Sequence, residues 1–175
     1  ITKNMKKFSN DIIIEKRRIG ENDSPICELI RKDSLEEFIV YVNRENYPLQ
    51  SEIENSYFET NTFLLKKNPT LIEYAAFFGS IQIIIYLILN NVILTPSLWL
   101  YAIHGGNADI IHLLEENEIL PEDDSYLKCL EESIKCYNSN FVDYFKNKIL
   151  EKDSNKLNHN NLDLFENDIA YCFHY

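Results

Sequence analysis

Apolar residues recur at helical spacing along most of this chain, and the pattern is punctuated by Gly, Asn and Pro. Met5, Phe8, Ile12, Ile13 and Ile19 predict an amphipathic helix over residues 5–19 with a basic outer face. Residues 20–25 break it. Ser24 is suited to cap the next helix, with Pro25 at the first position, where a missing N–H costs nothing. A short helix over 26–30 follows, and the pattern restarts at Asp33 or Ser34. Leu35, Phe38, Ile39 and Val42 then form a core stripe, with Glu36, Glu37 and Arg44 outside. Residues 45–69 are polar and contain Pro48; they predict a loop with one or two helical turns around 51–58.

From Thr70 the same plan is written twice. Residues 71–84 and 98–111 each carry a Tyr-Ala pair, a Gly four residues after the Ala, and apolar positions four and eight beyond it. Gly79, Ile83 and Leu87 thus correspond to Gly106, Ile110 and Leu114. Each copy predicts a short helix, a left-handed stop at Gly, and a second helix. Thr70 and Ser80 are the expected caps of the first pair, ended by Asn90-Asn91. In the second pair Thr95-Pro96 open a helix running to about Gly105, and Asn107 caps one ending at Glu116 or Asn117. A weaker third copy has Asp123-Asp124-Ser125 as cap, a helix to about Tyr137, a break at 138–140 and a helix over 141–150. There Ser133-Ile134 replace the Ala pair, and Phe141, Val142 and Phe145 replace Ile83, Ile84 and Leu87. One helix pair cannot bury its apolar faces alone, so stacked copies are expected.

The fold class expected is therefore all-α, a helix-pair solenoid in a single domain. Its parts are a basic helix and turn (1–24), a degenerate first unit and loop (25–69), repeats at 70–95, 96–121 and 122–151, and a polar linker with the start of a further unit (152–175). At 175 residues, with 45% apolar content and only four Gly and five Pro, the chain has enough material for one continuous helical core.

Charge narrows the function. The net charge of −11 excludes a nucleic-acid backbone as the expected partner, because that needs a basic face. Residues 1–20 hold six basic and two acidic residues, a net of +4, which leaves −15 on the remainder. Such a helix could dock on the acidic body or on an acidic neighbour, but a solvated amphipathic helix accounts for it as well. Cys27, Cys129, Cys136 and Cys172 show no CxxC spacing and lie in apolar-patterned segments, as small core residues of a reduced, cytoplasmic protein would. The run over 81–94 is too short to cross a bilayer. The chain opens on Ile1 with no basic-then-apolar leader, and we expect a segment of a longer protein.

The stretches 70–79 with Ile83-Ile84 and Leu87-Ile88, and 98–107 with Ile110-Ile111 and Leu113-Leu114, resemble the ankyrin repeat. The usual Thr-Pro-Leu-His opening is absent, since Thr70 is followed by Leu71-Ile72-Glu73. The anchors Ala75 and Ala102 are 27 residues apart, short of the family's period of about 33, which places a clipped hairpin at 91–95. Residues 17–150 as a whole are similar to the divergent ankyrin-related domain of large protist protein families, trichomonads above all. The wording at 18–24, 69–80 and 94–105 carries that likeness. The resemblance implies an N-terminal helical segment of a scaffold, preceding a longer array of regular repeats.

Candidate chemistry is sparse. His104 and His112 lie across a helix break with no third ligand at metal spacing, and Gly105-Gly106 lacks the strand and Lys-Ser/Thr of a phosphate loop. We expect no metal, no cofactor and no enzymatic activity. In ankyrin-like stacks the residues flanking the Ala pair line the concave side, which makes Tyr74, Phe77, Phe78, Tyr101 and His104 the expected partner-binding residues, unless residues 45–69 cover them. Trp99, aligned with Ile72, is expected in the core. The function expected is a protein–protein interaction module for a protein partner. The alternative is a cap for a longer ankyrin array with no partner of its own. An exposed last helix would also let two copies pair.

Overall fold

The computed structural model describes residues 2–122 and 125–156. Their regular structure is helical: α1 (Thr2–Ile19), α2 (Pro25–Arg31), α3 (Leu35–Glu45), α4 (Thr62–Lys67), α5 (Leu71–Phe78), α6 (Ile81–Leu89), α7 (Leu98–Gly105), α8 (Ala108–Glu116), α9 (Leu127–Lys135) and α10 (Ser139–Lys156). Among the described residues there is no strand, and Glu52 and Thr70 form an isolated antiparallel bridge. Contacts group the chain into two units, Ile1–Leu94 and Thr95–Tyr175. The expected linker beyond residue 156, the helix at 162–175, the cap residues Asp123 and Asp124, and Cys172 lie outside the described residues.

In the first unit two helix hairpins stack in parallel order, α2 on α5 and α3 on α6. Ser24 accepts from Cys27 N at the head of α2, and Pro25 occupies its first position. Thr70 and Glu73 form a reciprocal capping box on α5. Phe38, Ile30, Leu71, Ile83 and Leu87 are fully buried, and Ala75 and Ala76 leave no exposed surface at all. Small side chains there let neighbouring helices come close without overpacking.

Ser80 is not the side-chain cap that the sequence predicts for α6. Its hydroxyl donates instead to the carbonyl of Ile30 at 2.6 Å. Asp33, from the turn between α2 and α3, takes over the cap and accepts from Gln82 N and Ile83 N, both at 3.0 Å. One hairpin thus caps the next. The segment between the hairpins also departs from expectation: residues 51–58 are irregular, and the helix is α4, capped by Asn61 through Phe63 N and Leu64 N. The irregular stretch is tied down from a distance, with Asn22 donating to Glu54 O and Thr60 N to Gly20 O.

The second unit holds α7–α8 and α9–α10, with α7 and α10 each packed on α9. Its core joins Trp99 to Tyr126 and Phe145, with ring centroids 5.5 and 6.0 Å apart. Trp99 is 1% exposed, as its core assignment requires, and its indole donates to Ile119 O. Two boundaries move and one cap bond is missing. Residues 95–97 form a turn, and α7 opens at Leu98; Asn107 stands before α8 without a side-chain cap bond; α10 continues past Leu150 to Lys156.

The four hairpins share one turn. A left-handed residue stands between the helices each time: Asp33, Gly79, Gly106 and Tyr137. The next residue returns its N–H five positions back, Ser34 to Leu29, Ser80 to Ala75, Asn107 to Ala102 and Asn138 to Ser133. This is the closure that satisfies orphan carbonyls at a helix end. Left-handed Asn46, Asn91 and Glu118 follow the second helices of the first three pairs.

Candidate functional site

The densest polar geometry in the first unit surrounds Arg31, the last residue of α2. Its Nη1 donates to Asn22 O and to the Tyr74 hydroxyl, both at 2.8 Å, and its Nε lies 2.8 Å from Glu21. The guanidinium also sits 5.9 Å from the Phe78 ring centroid. A planar fork with fixed donors suits this bridging of backbone, phenol and carboxylate. Arg31 and Phe78 line a cleft of about 470 Å³ together with Lys16, Ile19, Glu21, Asp23, Glu28 and Lys32. Its charges are paired within the wall: Lys16 with Asp23 and Lys32 with Glu28, each at 2.6 Å.

Tyr74 and Phe78 contact each other at 4.7 Å, Phe77 and Phe78 at 5.0 Å, and Phe63 of α4 stacks on Phe77 at 6.3 Å. The expected aromatic ladder is therefore corrected in part. Tyr74 is 1% exposed and serves as a strut beneath Arg31, while Phe77 and Phe78 are half-buried. Burial pushes the Tyr74 phenol well above its usual range, and the neighbouring Cys27 adds to this against the opposing Arg31. Burial likewise raises the thiol of Cys27, which keeps it protonated and unreactive.

In the second unit Tyr101 is 3% exposed, so it too is buried rather than displayed. His104 is half-buried, and its Nε2 lies 2.9 Å from Glu132 on α9. Glu132 also accepts from Lys135 at 2.7 Å. Burial alone would raise the Glu132 carboxyl, but the hydrogen bonds from Lys135 and His104 prevail and hold it below the usual carboxylate range. His104 thus joins two helices through a carboxylate. A second junction centres on Glu115 of α8, which accepts from Tyr144 and lies 2.7 Å from Lys148, both on α10.

Arg31, Glu132 and Glu115 carry much of this geometry, and sequence reasoning did not single them out. Each is an ordinary charged residue in a helix, and its partner on another helix lies 28 to 43 residues away. Among the described residues no group of three His, Cys, Asp or Glu is placed to hold a metal ion, and no helix is long and apolar enough to cross a membrane. No family model, curated protein or solved structure matches the chain.

Proposed function

We propose that this chain is a non-enzymatic protein-interaction module built of divergent ankyrin-like helix pairs. It binds a protein partner through the first helices of its pairs. The supporting observation is the turn repeated at Asp33, Gly79, Gly106 and Tyr137, together with the order of stacking, α2 on α5 and α3 on α6. Hairpins that stack first helix on first and second on second generate the extended surfaces of repeat proteins. In the first unit Phe77 and Phe78 are the partner-contacting residues, with Tyr74 beneath them; in the second His104 is, with Tyr101 buried in the same helix.

The test is affinity capture with the full chain and with a Phe77→Ala, Phe78→Ala variant of unchanged helical signal. A specific protein retained by the first and lost by the second supports the reading. Equal retention removes these residues from the interface, and no specific retention counts against the module.

A second reading is favoured by the stacking of Phe63 on Phe77, since α4 already covers part of that side. Here the chain caps a longer ankyrin array and has no partner of its own. Fusing a regular array after it distinguishes the two, because a cap raises the denaturation midpoint of the array and a pure binding module does not.

A further inference from the structure

The irregular segment 51–60 carries a side chain that the rest of the fold does not use. Asn22, only 3% exposed, holds the segment at two points: its side-chain amide donates to Glu54 O at 2.8 Å and its backbone N–H to the Glu59 carboxylate at 3.2 Å. The neighbours of Tyr57 are pinned. Ser56 donates to Asp23 at 2.7 Å and accepts from Phe58 N, and the Phe58 ring centroid lies 5.4 Å from the Lys16 ammonium. Between them Tyr57 stands fully in water, 105% exposed, with no hydrogen bond or ring contact among the described residues.

Charge sets the same residue apart. Glu52 and Glu54, five and three residues before Tyr57, are exposed, and their carboxylates make no ion pair or hydrogen bond among the described residues. No Lys or Arg lies between Arg44 and Lys66. Of the described tyrosines one other is exposed, Tyr137 at 96%, and its setting is the opposite. It is the left-handed residue of the turn between α9 and α10, and its N–H is bonded to Ile134 O. Lys135 stands two residues before it, and Glu132 is already engaged by Lys135 and His104.

We propose that Tyr57 is a phosphorylation site, the acceptor for a tyrosine kinase whose basic substrate groove reads the carboxylates of Glu52 and Glu54. A nucleoside triphosphate is the co-substrate. The Tyr57 hydroxyl oxygen bonds to the γ-phosphorus as the bond from that phosphorus to the β,γ-bridging oxygen breaks; the nucleoside diphosphate leaves, and the phenolic proton passes to the catalytic Asp of the kinase. A ring that stands clear of its own surface reaches into such an active site. The main-chain closure of the turn at 56–59 is one long bond, Glu59 N to Ser56 O at 3.3 Å, so the segment straightens into a groove at small cost. The phosphate adds a charge of about −1.5 to −2 at pH 7. Because Tyr57 touches nothing, that charge breaks no contact, and its repulsion from Glu52 and Glu54 is screened by water and salt. The modification therefore changes what binds the chain, by displaying a dianion suited to an Arg cluster, and leaves its folding alone. This inference does not rest on the partner-binding reading above.

The folded full chain, incubated with ATP and a tyrosine kinase domain selective for acidic peptides, tests this, with the phosphate located by tandem mass spectrometry. Tyr57 is expected to carry it, Tyr57→Phe to lose it and Tyr137→Phe to keep it. Glu52→Gln with Glu54→Gln should lower kcat/KM for Tyr57 by at least about fivefold, with unchanged circular dichroism. The urea midpoint of the phosphorylated chain should equal that of the unmodified one. A synthetic peptide of residues 48–62 serves as the control for kinase competence. Phosphate on the peptide but not on Tyr57 of the folded chain, or phosphate entering Tyr137 as fast as Tyr57, overturns the proposal. An unchanged rate in the double Gln variant overturns the reading of the carboxylates, and a shifted midpoint overturns display without refolding.

Discussion

Gly20 shows how much a single residue can depend on sequence far from it. It ends α1 at φ +72°, and a Cβ built there would stand 2.6 Å from the Thr60 hydroxyl oxygen, which itself donates to Gly20 O. Gly106 has nearly the same φ, +71°, but a Cβ there meets only Asn138 Nδ2 at 3.9 Å. Gly106→Ala should therefore cost only the left-handed strain, about 1–2 kcal/mol. Gly20→Ala should cost about 1 kcal/mol more, because Thr60 must also move and the loop anchor loosens. Urea denaturation of the two variants side by side checks this, and equal midpoints would deny Thr60 its role. The sequence marks Gly20 as a helix stop, but Thr60 lies forty residues away. Nothing local announces the contact.

At the scale of elements, helices are joined by side chains that reach from one hairpin to another. Asp33 closes its own turn at φ +48° and caps α6 through two backbone N–H groups. Asp33→Ala should lower stability by about 1–2 kcal/mol, since it removes the cap and its charge beside the helix N-terminus. Asp33→Asn tolerates the left-handed backbone but keeps one acceptor for the two N–H groups, so denaturation should place it between the wild type and Asp33→Ala. A loss equal to that of Ala would show that the one remaining acceptor contributes nothing. Glu115 joins α8 to α10 and has a pH signature. Burial pushes its carboxyl up, but Lys148, Tyr144 and His112 together hold it below the usual carboxylate range. A carboxyl lowered in the folded state stabilises above its unfolded pKa, and that stability is lost as pH falls through the folded value. Denaturation midpoints from about pH 6 to about pH 3 should fall less steeply in Glu115→Gln than in the wild type. Parallel acid limbs would mean that the junction contributes nothing.

For the whole molecule, the distribution of charge governs what it can meet. The net charge of −11 makes copies repel at long range, and the stretch 74–108, without Asp, Glu, Lys or Arg, adds nothing to that repulsion. The interior is divided between two units, Ile1–Leu94 and Thr95–Tyr175, each with aromatic packing of its own, Phe38 against Tyr86 in one and Trp99 with Tyr126 and Phe145 in the other.

The sequence by itself determined the helix pairs from Pro25 to α10, the caps Ser24 and Thr70, and the left-handed stops at Gly79 and Gly106. These rest on hydrogen bonds and side-chain spacings spanning five residues or fewer, so a short window of sequence contains every term. It also placed Trp99, Ala75 and Phe38 in the core, because their positions follow the helical period. Only the tertiary structure decided that Tyr74 and Tyr101 turn inward, that Asp33 rather than Ser80 caps α6, and that α4 lies over Phe77. Each of those outcomes depends on a partner tens of residues away. A helical period tells which face of a helix is apolar, but only the packing of one hairpin on another decides which of the remaining side chains are covered.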